Sequence, residues 1–219
     1  GVQAQVNYTW SKCIDYGGSP LGSLNGGNSP TSWSNPFDRS IDRGLCYFSV
    51  GNTFRANTLI ALPFSGNRFV EGWQVTGILT ANGGLPFTVS TGFDRVCNGC
   101  GGRPNYVSGC KVDVGRVSQW YDPNCFSLQD AGTLGNLGRN TVIGPTQTNV
   151  DMALLKDTRI SEGTRMQFRA EVFNVLNHAN FALPAASVFT ASGRNATAGQ
   201  ITSTTTTARQ IQFGLKFIF

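Results

Sequence analysis

Apolar and polar residues alternate one by one along several stretches of the chain. A period of two is what a strand with one greasy face must show, because successive side chains point to opposite sides. Val2, Ala4, Val6, Tyr8 and Trp10 share one face of the first stretch, with Gln3, Gln5, Asn7 and Thr9 on the other. Between Thr53 and Leu62, Phe54, Ala56, Thr58, Ile60 and Leu62 oppose Arg55 and Asn57. Trp73, Val75, Gly77, Leu79 and Ala81 oppose Gln74, Thr76, Thr80 and Asn82, and the alternation resumes at Phe87 and Val89. Val150, Met152 and Leu154 then oppose Asn149 and Asp151, and Met166, Phe168, Ala170 and Val172 oppose Arg165, Gln167, Arg169 and Glu171. At the end, Ile211, Phe213, Leu215, Phe217 and Phe219 oppose Gln210, Gln212 and Lys216. The pattern predicts about six strands of roughly 9–12 residues, against about 9–11 for a membrane-crossing strand and about 5–6 for a soluble one.

The connections sharpen this picture. Leu62 to Trp73 and Leu154 to Arg165 are short, whereas Lys12 to Val50, Gly92 to Asn149 and Asn177 to Ala208 are long and rich in Gly, Ser, Asn and Thr. Compact soluble domains rarely carry loops of that length, while outer-membrane barrels have short periplasmic turns and long external loops. Counting back from a periplasmic C-terminus, every short link falls on the periplasmic side. Tyr8, Trp10, Trp73, Phe217 and Phe219 sit at strand ends, where aromatic rings prefer the membrane boundary. The expected fold is all-β: an antiparallel meander of about six long strands, the C-terminal part of a transmembrane β-barrel with long external loops. In that orientation Arg55, Asp151, Arg165, Arg169, Glu171 and Lys216 line the lumen. On the lipid side Arg or Lys near mid-membrane costs about 2–4 kcal/mol.

Composition agrees. Only 13 % of the 219 residues are charged and 27 are Gly, while 15 Phe, 5 Tyr and 4 Trp exclude a disordered chain. The longest aliphatic run is far below the ~20 residues of a helical span. The net charge of +5 comes from basic residues scattered singly, without the basic run that marks a nucleic-acid surface. Nucleic acid is therefore not an expected partner.

Catalytic and metal chemistry find little footing. His178 is the single histidine, placed just after a strand, and reads as a turn-capping polar residue. No nucleophile-elbow, zinc-protease or phosphate-loop motif occurs, so the chain reads as no enzyme, with neither cofactor nor metal. Cys97-x-x-Cys100 followed by Cys110 and Cys125 invites a zinc site, but the second pair is spaced too widely for the usual two to four residues. Disulfides stapling external loops are the preferred reading. Cys13 and Cys46 flank the first long loop and can pair across its base; the connectivity of the others stays open.

A resemblance then emerges. The run Thr164–Phe181 (TRMQFRAEVFNVLNHANF) resembles a segment of TonB-dependent receptors of the Oar-like type, acidobacterial in appearance. Tyr8–Lys12, Leu62–Phe64, Gly84–Thr88, Arg103–Asn105, Gly135–Asn140, Asn149–Asp151, Lys156 and Arg209–Lys216 agree with the same family in order and spacing. What the resemblance implies is energy-coupled uptake of a bulky, unidentified solute across the outer membrane. It also implies a signal peptide, often a carboxypeptidase-regulatory-like β-sandwich, a TonB box, a plug and a barrel of about 22 strands. Of these, residues 1–219 match only the C-terminal barrel segment, so a fragment or a truncated product is expected. The implied partners are the lipid bilayer, the rest of the same barrel and plug, and the TonB–ExbB–ExbD complex reached through the N-terminal part. Phe213, Leu215, Phe217 and Phe219 resemble the aromatic-ended strand read by the barrel-assembly machinery. The alternative reading is a secreted or surface β-rich adhesin or carbohydrate-binding module, its apolar faces packed sheet to sheet.

Overall fold

The computed structural model describes residues 1–17, 34–35, 37–96 and 102–219. Among the described residues, six long strands form one antiparallel sheet: β1 (Val2–Trp10), β2 (Asn52–Ala61), β3 (Trp73–Asn82), β4 (Gln147–Arg159), β5 (Arg165–Phe173) and β6 (Gln210–Ile218). Their spatial order is their chain order, so the sheet is a meander with β1 and β6 at its edges. No helix among the described residues is long and apolar enough to cross a membrane.

The ladders fix which residues share a face. Val6 pairs with Ala56, Ala56 with Leu79 and Leu79 with Val150; lower down, Trp73 pairs with Lys156, Lys156 with Phe168 and Phe168 with Leu215. The opposite face carries Asn7, Arg55, Thr80 and Asn149 in one row, and Gln74, Leu155, Arg169 and Gly214 in another. Strand β4 runs to 13 residues, well past the alternation that ends at Leu154. Its continuation is hidden in the sequence because Leu155 falls on the polar face and Lys156 on the apolar one.

The expected resumption at Phe87 and Val89 does not extend the sheet. After Gly83 the chain turns away, and Pro86–Phe87 forms a two-residue ladder with Val142–Ile143. Gly84 lies against the carbonyl of Gly144, where a Cβ would collide, so only glycine permits this approach.

The three long connections, 11–51, 83–146 and 174–209, all leave from one end of the sheet, and the short turns 62–72 and 160–164 lie at the other. The hydrophobic core sits with the long connections. Phe87, Val89, Tyr121, Cys125, Phe126, Leu137, Val142, Val188 and Phe189 pack together there. Within the six strands only Ala153 and Lys156 are buried.

Candidate functional site

Away from the turn 62–72, the apolar face of the sheet is open among the described residues. Val6 is 63 % exposed, Phe213 69 % and Leu215 58 %, all on the apolar face. A soluble sandwich would hide such side chains, since apolar surface in water is disfavoured by about 25 cal/mol per Å². Among the described residues no second layer packs on it, and it is suited to hydrocarbon.

On the other face the register gathers Arg55, Asp151, Arg165, Arg169, Glu171 and Lys216. Arg169 and Glu171 form an ion pair at 2.8 Å. The Asp151 carboxylate accepts from the Asn149 side-chain amide and from the Asn174 backbone N–H, both at 2.8 Å. Asp157 and Arg159 belong to the same face but were hidden by the broken alternation of β4; Asp157 accepts from Gln167 Nε2 at 3.0 Å.

Above the sheet, two arginines tie the first long connection to the second. Arg103 donates through Nη2 to Asp42 Oδ1 at 2.9 Å and through Nη1 to the Ile41 carbonyl at 3.1 Å. Arg139 donates through Nε to the Asp42 carbonyl at 2.8 Å, and through Nη2 to the Gly44 carbonyl and the Asp15 carboxylate. Burial pulls both guanidiniums below their ordinary range, and for Arg103 the Asp42 charge opposes that pull. Neighbouring Asn140, in the left-handed region at φ 54°, donates to the Leu45 carbonyl at 2.6 Å. Tyr121 stands edge-on to Phe126 and donates its hydroxyl to the Ala185 carbonyl at 2.6 Å, bringing in the third connection. Burial pushes the Tyr121 hydroxyl pKa up. The three connections are thereby one cored cap.

A second seam joins cap to sheet. Asn180 accepts from the Thr148 N–H at 2.7 Å and donates to the Thr148 carbonyl at 2.9 Å. Asn174, at φ 50°, donates to the carbonyls of His178 and Thr207. Capping at this strand end is therefore the work of Asn174; His178 takes part through its backbone, and its side chain is exposed.

A family model described as an outer membrane beta barrel domain matches residues 1–212. The chain belongs to that family. No curated protein and no solved structure matches it. The barrel's location is the bacterial outer membrane, which supplies the hydrocarbon its uncovered face requires.

Membership in the outer-membrane family fits the cysteines, since that compartment permits disulfides. Cys13 and Cys46 are bonded across the base of the first connection, as their flanking positions suggested, and Cys110 is bonded to Cys125. Cys97 and Cys100 lie outside the described residues. Asp122 sits beside the second disulfide, and with Cys110 and Cys125 it makes a triplet of ligand types. Two bonded sulfurs offer no thiolate, however, so the barrel's cap holds a staple here rather than a metal cage. Phe213, Leu215 and Phe217 lie on the apolar face of β6, with Phe213 stacked on Phe168 at 6.2 Å, and Phe219 follows just past the ladder.

Proposed function

We propose that this chain is the closing wall and outer cap of a larger transporter barrel, which takes up a bulky solute under TonB-coupled energy. The observation that carries the reading is the pair of sheet edges that no described residue pairs. Strands β1 and β6 each present a full row of backbone donors and acceptors, and six strands are fewer than the ~8 of the smallest common membrane barrels. Strands from the rest of the barrel complete those rows, and a plug fills the wider lumen. Arg55, Asp151, Arg165, Arg169, Glu171 and Lys216 then face the plug and the solute path. The β6 side chains Phe213, Leu215, Phe217 and Phe219 present the assembly signal. In the cap, a depression of about 510 Å³ beside the Cys110–Cys125 bond, bordered by Tyr106, Lys111 and Asn136, is a place for first contact with solute.

The test is depletion of solutes from the growth medium by cells producing the intact polypeptide, followed by metabolite mass spectrometry. The expected result is a large solute removed by these cells and retained in the medium when the proton gradient is dissipated. Uptake that persists without the gradient, or a purified barrel that closes from these six strands alone, overturns the reading.

A further inference from the structure

Two side chains on the apolar face of the sheet reach out and hold the turn 62–72. Lys156 shares that face with Met152 and Leu154, yet it is only 7 % exposed. Its Nζ donates to the carbonyls of Arg68 at 2.9 Å, Glu71 at 2.5 Å and Asp157 at 3.0 Å, and lies 5.8 Å from the centre of the Trp73 ring. Trp73, directly across the ladder from Lys156, donates Nε1–H to the Phe69 carbonyl at 3.2 Å. A turn fastened by two outward-pointing side chains is folded onto the outward side of the wall.

The local sequence makes this fold possible. Gly72 has φ +79°, and a Cβ there would meet the Asp157 carbonyl, so the chain enters β3 through a conformation that glycine alone adopts cheaply. The Asn67 side chain accepts from the Phe69 N–H at 2.9 Å, and the Asn67 carbonyl accepts from the N–H groups of Val70 and Glu71. The resulting shape leaves Phe64, Phe69 and Val70 exposed, with the Arg68 guanidinium 5.4 Å from the centre of the Phe69 ring. Apolar side chains beside a cation, continuous with a lipid-facing surface and level with the strand ends, suit the layer where acyl chains give way to headgroups. Arg68 and Glu71 are charged residues of the turn itself, and the Lys156 ammonium is held against its carbonyls.

We infer that the turn 62–72 is a foot resting in the headgroup layer of the periplasmic leaflet, with Phe69 and Val70 entering the acyl boundary and Arg68 meeting phospholipid phosphate. The inference rests on the apolar face meeting lipid. In that arrangement the Lys156 charge is satisfied by backbone carbonyls instead of facing hydrocarbon, and the foot sets the depth at which the short-turn end of the wall sits.

The test places the photo-crosslinking residue p-benzoylphenylalanine at position 69, and separately at 213 in mid-strand, in the intact protein in its outer membrane. After illumination, adducts are identified by mass spectrometry. Phospholipid adducts are expected at both sites. With Lys156→Met the adduct at 69 falls severalfold while that at 213 is unchanged; Trp73→Phe serves the same comparison if the lysine variant fails to assemble. Lipid at 213 with no adduct, or a protein or lipopolysaccharide adduct, at 69 overturns the foot and leaves the barrel's orientation standing. Absence of lipid at 213 overturns that orientation, and the foot with it. An adduct at 69 indifferent to either variant overturns the fastening.

Discussion

Arg103 and Asp42 lie 61 positions apart in the chain and meet as an ion pair at 2.9 Å, with side chains 10 % and 3 % exposed. Around this pair, connections that carry only short ladders and single 3-10 turns of their own become one body. Removing one partner leaves a buried charge uncompensated, which costs about 3–5 kcal/mol. Asp42→Ala is therefore expected to loosen the 34–50 and 102–146 segments, read as faster amide exchange in both. The double variant Asp42→Leu with Arg103→Met should lose less than the single one. Equal protection in Asp42→Ala and the parent would sink this account of the cap.

The two staples divide the same work unequally. Cys13–Cys46 closes a sequence separation of 33 and Cys110–Cys125 one of 15. Loop-closure entropy gives them about 4 and about 3 kcal/mol respectively. Reduction should open the cap to protease while the sheet keeps its infrared amide signature. Non-reducing peptide maps must show these two pairs, and free thiols at all four positions would refute the assignment.

Tyr121 gives the cap an alkaline limit. Its burial favours the neutral hydroxyl, so the folded chain keeps a proton to higher pH than the unfolded chain does. The contribution is fully present below pH about 10, where a free tyrosine titrates, and stability falls as pH rises beyond that point. Ultraviolet titration of the five tyrosines should show Tyr121 ionising last and together with cap opening. Tyr121→Phe should abolish that late step, at a cost of about 1 kcal/mol for the lost bond to the Ala185 carbonyl.

Neighbouring residues of β6 separate the two faces of the wall. Phe213 stacks on Phe168 on the apolar side, while Gln212 pairs with Glu171 on the other. Phe213→Arg is expected to cost about 2–4 kcal/mol on folding into phospholipid vesicles, and Gln212→Arg far less. Urea titrations of the two variants give the comparison; equal losses would mean that the faces are misassigned.

Six strands, their order and their two faces were legible in the sequence, because a strand's alternation is written in neighbouring residues and needs no distant partner to be read. Val2–Trp10 and Trp73–Asn82 coincide with their predicted spans for that reason. The second half of β4 was not legible. Leu155 and Lys156 break the period, and the lysine is tolerated on the apolar face only because two carbonyls of a distant turn, that of its neighbour Asp157 and the Trp73 ring surround it. The cap was invisible for the same cause on a larger scale. Tyr121 and Val188 sit in Gly- and Ser-rich stretches without period, Phe87 reads as more of the preceding strand, and only folding brings the three into one core. Likewise, Arg103 and Arg139 read as scattered surface charge until Asp42 and Asp15 close on them. The sequence by itself determined a wall with one face for lipid and one for water, since that choice is made residue by residue. The tertiary structure alone decided that the long connections form a packed cap and that one short turn folds outward, since both depend on contacts between residues far apart in the chain.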